Sequence, residues 1–300
     1  MSIIRIRNLG KAFGDLTALD GVSLDVAPGE RFGLIGPDGA GKTTLMRILC
    51  GLMKPDSGSF TIDGMDGASR IRDIKATVGY MPQRFSLYPD LTVDENLRFF
   101  GDLFNVPAGE MAARRDRLMQ FSRLSPFQHR RTRALSGGMK QKLALSCALI
   151  HTPAVLILDE PTTGVDPLSR RDFWRILTDL SDHDTTAILV STPYMDEARR
   201  CHRVAFLHNG RIMASDRPDR LGSYCKWKIL ETSVPEPAAF SRMIAELPDY
   251  RAHRILGDRI RIAVKDAGRF RKQLEPLRSC GEFPEPEEKS PDLEDVFIYL

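Results

Sequence analysis

The sequence predicts an α/β protein, with a mostly parallel sheet flanked by helices and a smaller second unit after it. Two observations carry this. Compact apolar segments of strand length recur at Phe32–Ile35, Val155–Leu158, Ala187–Val190 and Val204–Leu207, with helical stretches between them. Strands alternating with helices imply parallel pairing. The first of these segments also runs directly into Gly36-Pro37-Asp38-Gly39-Ala40-Gly41-Lys42-Thr43, a glycine-rich loop that opens a helix. That is the setting a phosphate-binding loop requires.

In chain order, residues 3–7 and Leu19–Val26 alternate apolar and polar like strands, and Pro28-Gly29-Glu30 is a turn. Thr44–Leu52 reads as a helix, ended by the breakers Lys54-Pro55-Asp56-Ser57-Gly58. From about Thr92 to Leu135 the chain is helix-rich, with Leu97, Phe100, Leu103 and Phe104 on one face. The motif-bearing part ends near Leu221–Tyr224, so the expected division is 1–222 and 223–300. The tail mixes strand-like pieces (Lys226–Glu231, Arg259–Val264) with helix-like ones (Pro237–Leu247, Ala267–Leu277). It then passes through a Pro- and Glu-rich stretch, Gly281–Pro291, to Leu293-Glu294-Asp295-Val296-Phe297. This reads as a small α/β appendage.

A net charge of +3 with dispersed basic residues gives no argument for nucleic acid. Arg114-Arg115 and Arg130-Arg131 read as solvated helical faces. Five cysteines lie far apart without a Cys-x-x-Cys pair, which fits a reducing cytosol better than a disulfide or zinc framework. Met1–Arg7 reads as a strand rather than a secretory leader. The longest apolar runs fall short of the roughly 18–20 residues that span a bilayer. A membrane role would need a partner.

Glycines at the bends of the 36–43 loop expose backbone N–H groups, and the following helix aims its positive end the same way, so together they cradle a polyphosphate. Lys42 is expected to reach the β- and γ-phosphates, and Thr43 to give its hydroxyl to Mg²⁺. Asp159 ends an apolar strand, where a carboxylate can hold Mg²⁺ through water. Glu160, its neighbour, can act as general base on an attacking water. Seen alone, such a pair would be an ordinary strand end. Downstream of Lys42 and followed by Pro161-Thr162-Thr163-Gly164, it reads as functional. Ser136 with the N–H groups of Gly137 and Gly138, opening a helix near Met139, can bind a further γ-phosphate. A lone Ser-Gly-Gly would be only a capped helix start.

In this order the phosphate loop, Leu135–Gln141, Val155–Glu160 and Gly164-Val165-Asp166-Pro167 resemble the ATPase subunit of an ATP-binding-cassette (ABC) transporter, over residues 1 to about 222. The resemblance implies a P-loop NTPase core, an N-terminal antiparallel β subdomain and a helical signature subdomain at about 87–150. It implies ATP and Mg²⁺ as cofactors. Gly36, Pro37, Asp38, Gly39, Ala40, Gly41, Lys42, Thr43 and Thr44 would line the phosphates, and Thr43, Gln83 and Asp159 would attend the metal. Tyr80-Met81-Pro82-Gln83 matches the family's glutamine loop, in which Gln83 would sense Mg²⁺ or the attacking water. Phe13 stands where the family stacks an aromatic on adenine. Ser136, Gly137 and Gly138 would meet the ATP of a second cassette, and Asp166 would cross that interface. Met139 departs mildly from the usual glutamine.

One departure is larger. After Ser191-Thr192 the family has a switch histidine, and this chain has Pro193. Proline offers neither a side-chain donor nor an N–H, so slow hydrolysis at this chain's own phosphate loop is expected. The intact Ser136-Gly137-Gly138 would then serve a partner cassette.

Gly36–Arg47, Tyr194–Ala198 and Leu293–Phe297 resemble daunorubicin-resistance-type bacterial exporters of the ABC-2 class, especially first cassettes of tandem exporters. That resemblance implies separate integral membrane permease subunits, a homo- or heterodimeric cassette pair, a periplasmic membrane-fusion protein, and a cytoplasmic location against the inner face of the membrane. Two other readings compete: a nucleotide-gated regulatory or assembly subunit with little hydrolysis, and a non-transport cassette. The second of these usually carries a paired cassette on a charged linker or an inserted coiled coil, and neither is present in these residues.

Overall fold

The computed structural model describes residues 2–84, 86–183, 186–278 and 283–299. Cys280 and Gly281, part of the sequence reading of the cysteines and of the acidic tail, lie outside them. The chain divides into two compact units, Met1–Arg217 and Pro218–Leu300.

In the first unit, β1 (Ile4–Phe13), β2 (Leu16–Val26) and β3 (Arg31–Ile35) precede α1 (Lys42–Leu49). Then come β4 (Ser57–Ile62), β5 (Met65–Asp66), α2 (Ile71–Thr77) and β6 (Val78–Met81). Helices α3 (Val93–Leu103), α4 (Ala108–Phe121) and α5 (Gly137–Leu149) lead into β7 (Val155–Asp159) and α6 (Pro167–His183). β8 (Ala187–Thr192), α7 (Met195–Ala198), β9 (Arg203–His208) and β10 (Arg211–Asp216) complete it.

A six-stranded sheet runs β10-β9-β3-β8-β7-β6. All its pairs are parallel except the β10–β9 hairpin. Strands β3, β7 and β8 are buried along their whole length, which is why they read as unbroken apolar runs rather than alternations. A second, antiparallel sheet, β2-β1-β4-β5, is the N-terminal β subdomain. One core cluster joins the two sheets through Ile4, Ile6, Leu34, Leu45, Ile157 and Leu189.

The helical stretch has its own small core, including Val93, Leu97, Met119, Leu143 and Cys147. Its entry is fixed by a capping box between Thr92 and Glu95. The buried Asn96 amide also donates to the carbonyls of Tyr88, Leu91 and Thr92 and to the Thr132 hydroxyl. Leu97 faces that core and Phe100 is partly buried against it, but Leu103 is 59% exposed. The apolar face expected from the sequence is therefore shorter than its spacing implied.

The second unit contains β11 (Lys228–Ser233), α8 (Pro237–Ile244), β12 (Tyr250–Leu256), β13 (Arg259–Val264), α9 (Ala267–Arg278), β14 (Glu287–Lys289) and α10 (Leu293–Tyr299). Its sheet order, β12-β13-β11-β14, with every pair antiparallel, is a split βαββαβ arrangement. Leu230, Ile260, Ile262 and Val264 pack on Phe240, Ile244, Phe270 and Leu274 of the two helices. Among the described residues no helix is long and apolar enough to cross a membrane.

Candidate functional site

The site gathers at the carboxyl ends of β3, β7 and β8, where parallel strands leave their helices and loops. The loop from Gly36 to Gly41 joins β3 to α1. A methyl group at Gly36 would sit 2.3 Å from the Leu207 carbonyl oxygen, and one at Gly41 (φ 106°) 2.3 Å from that of Ala18. Both positions therefore need glycine, for close approach and for the left-handed backbone. No side chain caps α1 and its first turn is free of acidic residues, which leaves its opening N–H groups suited to an anion.

Lys42 is only 4% exposed. Its Nζ donates to the Gly36 and Pro37 carbonyls at 2.8 and 3.0 Å and pairs with Glu160 Oε1 at 3.1 Å. Gln83, just past β6, donates from Nε2 to Glu160 Oε2 at 2.9 Å. Thr43 donates to Asp159 Oδ1 at 3.1 Å, and Ser191 donates to the same oxygen at 2.9 Å. The Ser191 hydroxyl also accepts from the Glu160 N–H at 2.9 Å. That bond holds Glu160 in a left-handed conformation, φ 48°, an uncommon one for a residue with a side chain.

Burial pushes the Asp159 carboxyl above its usual range, against the opposing pull of the bonds from Thr43 and Ser191. Its second oxygen, Oδ2, is buried without a hydrogen-bond partner. A buried orphan acceptor beside a hydroxyl suits a cation. Among the described residues no group of three or more His, Cys, Asp or Glu side chains is arranged to hold a metal ion by itself. An ion here would therefore draw on one carboxylate, a hydroxyl, water and phosphate oxygens, the hard oxygen set that Mg²⁺ accepts.

The sequence-predicted residues fall into two groups. Lys42, Thr43, Gln83, Asp159 and Glu160 are joined by the bonds above. Ser136, Gly137, Gly138, Asp166 and Phe13 make their contacts elsewhere. Ser136 caps α5, its hydroxyl accepting from the Met139 N–H at 3.3 Å. A methyl at Gly138 would sit 2.4 Å from the Ser169 hydroxyl. Asp166 caps α6, accepting from the Ser169 N–H at 2.9 Å, a bond that lowers its pKa. The Ser-Gly-Gly turn and the Asp166 loop thus meet at Ser169. Phe13 ends β1 at 46% exposure, with Lys11 Nζ 5.6 Å from its ring centroid.

Sequence reasoning left several neighbours without a role. Ser191 was visible only as the residue two places before the switch position. Gln141 donates to the Pro161 carbonyl, joining α5 to the loop after Glu160. Glu197, 1% exposed, accepts from Thr162 and Thr192 and pairs with Arg170. A buried acid within Tyr194-Met195-Asp196-Glu197-Ala198 carries no periodicity signal of its own. Pro193 follows directly on β8 and is exposed.

Comparison with known proteins places this geometry in a family. Residues 19–163 match the family model described as ABC transporter. The chain is 39% identical over 307 residues to the "Probable multidrug ABC transporter ATP-binding protein YbhF" of Escherichia coli (strain K12), covering 100% of this chain and 52% of that protein. It therefore spans about half the length of that relative. It is also 39% identical over 299 residues to the "Nod factor export ATP-binding protein I" of Paraburkholderia xenovorans (strain LB400), covering 99% of this chain and 96% of that one. Among solved structures it resembles the dimeric post-hydrolysis state of the ATP-binding cassette MJ0796 bound to ADP and Pi, with TM-score 0.65 and 26% identity. That match covers 71% of this chain and 98% of the other. A second, an ATP binding subunit of an ABC transporter, matches with TM-score 0.67 and 30% identity over 74% and 93%. At 39% identity over 96% of the second relative's length, the chain belongs to the ABC transporter family.

Proposed function

We propose that this chain binds ATP on the Gly36–Thr44 loop and hydrolyses its γ-phosphate to power export through separate membrane permease subunits. The observation that carries the reading is Glu160, held at one carboxylate oxygen by Lys42 and at the other by Gln83. This is a general base fixed between a phosphate-binding cation and an amide able to orient water.

In this reading the loop N–H groups and Lys42 Nζ bind the β- and γ-phosphates. Thr43 and Asp159 hold Mg²⁺, which supplies charge neutralisation on the phosphates. Gln83 orients a water in line with the γ-phosphorus, and Glu160 takes its proton. Phe13 stacks on the adenine. Ser136, Gly137 and Gly138, together with Asp166, serve the nucleotide of a second cassette across a dimer. The names of the relatives, a probable multidrug transporter protein and a Nod factor export protein, support export as the work done. The motif runs quoted above support the ABC-2, daunorubicin-resistance type, with a membrane-fusion protein as a further partner.

Pro193 favours one modification: slow turnover at this chain's own loop, with Ser136-Gly137-Gly138 lent to a partner whose switch region is complete. The test is single-turnover ATP hydrolysis and fluorescent-analogue binding by the purified chain, with Lys42→Ala beside it. Binding that is lost in the variant supports the reading. Equal binding by both proteins overturns it.

A further inference from the structure

Pro193 removes the side chain by which the switch segment would sense the γ-phosphate. The structure shows what holds that segment in the absence of a histidine. Glu197 Oε2 accepts from the Thr192 hydroxyl at 2.5 Å, and that hydroxyl accepts from the Tyr194 N–H at 3.1 Å. The loop carrying Pro193 is thereby closed on itself from both sides. Glu197 Oε1 accepts from the Thr162 hydroxyl at 2.7 Å and from Arg170 Nε at 3.0 Å. Arg170 lies on α6, four residues after Asp166. Its guanidinium lies 4.0 Å from the Tyr194 ring centroid and also pairs with Asp196 at 3.1 Å.

One buried carboxylate therefore ties residues 192–194, after β8, to residues 162 and 170, which flank the Asp166 loop. The loop after Glu160 is held at three successive points. The Glu160 N–H is held by Ser191, the Pro161 carbonyl by Gln141 and the Thr162 hydroxyl by Glu197. Glu160 has a left-handed backbone, which persists only where its surroundings over-determine it. Glu197 is the member of this set that reaches both the switch segment and the Asp166 loop.

We infer that Glu197 is a positioning residue for ATP hydrolysis: it locks the Pro193 segment to the Thr162–Arg170 segment and so holds Glu160 in its working conformation. Its role is exerted through Thr162, Thr192 and Arg170. A glutamine in its place keeps the volume, but its carbonyl oxygen can accept from only one of the two threonines, because its other terminal atom is a donor. The inference rests on the hydrolysis reading above, so the test has an arm that does not need turnover.

The experiment uses the full chain with Glu197→Gln, Thr162→Val and Thr162→Ser. Measured are single-turnover kcat and KM for ATP, analogue affinity, thermal midpoint, and hydrogen exchange of amides 160–166 against those of α1. The expected result is a loss of about tenfold or more in kcat for Glu197→Gln and Thr162→Val, with KM and analogue affinity within about threefold. Thr162→Ser, which keeps the hydroxyl, recovers the rate. Amides 160–166 exchange about tenfold faster in Glu197→Gln while α1 is unchanged. An unaltered kcat overturns the inference. So does a kcat that falls together with analogue affinity and thermal midpoint, as a purely structural role would give. If the unmodified chain shows no turnover, the hydrolysis reading fails separately, and the exchange arm alone decides: unchanged exchange at 160–166 overturns the positioning role.

Discussion

Lys42 Nζ and Glu160 Oε1 form a buried ion pair, 3.1 Å apart, with both side chains at least nine-tenths removed from solvent. The ammonium that would receive a polyphosphate is engaged by the carboxylate that would take the water's proton. Each thereby satisfies a charge that would be costly to bury alone. If Lys42 takes a nucleotide phosphate, as proposed above, this pair must give way to a lysine–phosphate contact, leaving Glu160 held by Gln83. Glu160→Gln removes the competing charge while Lys42 keeps the Gly36 and Pro37 carbonyls. The expected outcome is analogue binding tightened about three- to tenfold, with hydrolysis reduced by about a hundredfold or more. Titration and single-turnover assays read both, and binding that is unchanged or weaker refutes the competition.

At the switch position the prediction concerns rate alone. The β7–β8 register pairs Asp159 with Ser191, so residue 193 leaves the sheet two positions beyond the hydroxyl that holds Glu160's N–H. A donor placed there could reach charge developing on the phosphate, and proline has none. Pro193→His is expected to raise the single-turnover rate about tenfold or more, with analogue affinity within about threefold. A rate that stays the same would mean that another group already fills the role.

Asp159 gives a pH signature. Burial raises its folded pKa above the unfolded value, so folding favours the protonated form. The stability it contributes is therefore present below the unfolded pKa of about 3.9 and lost as pH rises through the folded value. Asp159→Asn keeps an acceptor oxygen for Thr43 and Ser191 but carries no charge. The nucleotide-free variant is expected to melt a few degrees higher than the parent near pH 7. That advantage should vanish at about pH 3 to 4, and the stabilisation by Mg²⁺ with nucleotide should be lost. Paired melting curves across pH decide it, and an advantage independent of pH excludes the charge as its cause.

Much of this architecture is legible in the chain, and the omissions have physical reasons. The buried strands β3, β7 and β8 read as apolar runs because helices or sheet cover both faces. Strand β6 hides because it has only four residues and includes Gly79, where a methyl would meet the Ala148 carbonyl at 2.4 Å. The hairpins β4–β5 and β9–β10 did carry a signal. Asp63-Gly64 and Asn209-Gly210 both have positive φ at each residue, the dipeptides that two-residue hairpins prefer. In the second unit β13 is evident from its alternation, but strand order is a long-range property that no local pattern reports. The Gly36–Thr43 loop was legible because its residues are contiguous. The Glu197 network was not, because its members come from residues 162, 170, 192 and 197 and meet only in space.

His151 supplies a prediction outside the nucleotide site. It follows α5 with its ring stacked on Phe104, centroids 3.9 Å apart and planes 10° from parallel. Burial pushes its pKa down from 6.5 to about 4, so the folded protein keeps it neutral. Unfolding exposes it to water, and below its ordinary pKa it then takes up a proton. The stability it contributes is thus complete above about pH 6.5 and is lost as pH falls toward the folded value. Phenylalanine preserves an aromatic ring against Phe104 and does not titrate. Denaturant midpoints for the parent and His151→Phe are expected to diverge between about pH 7 and about pH 5, with the parent losing more. The difference between the two proteins isolates this ring, because every other acid-sensitive group is common to both. A difference that stays constant over the range would mean that the ring is protonated or solvated in the folded state.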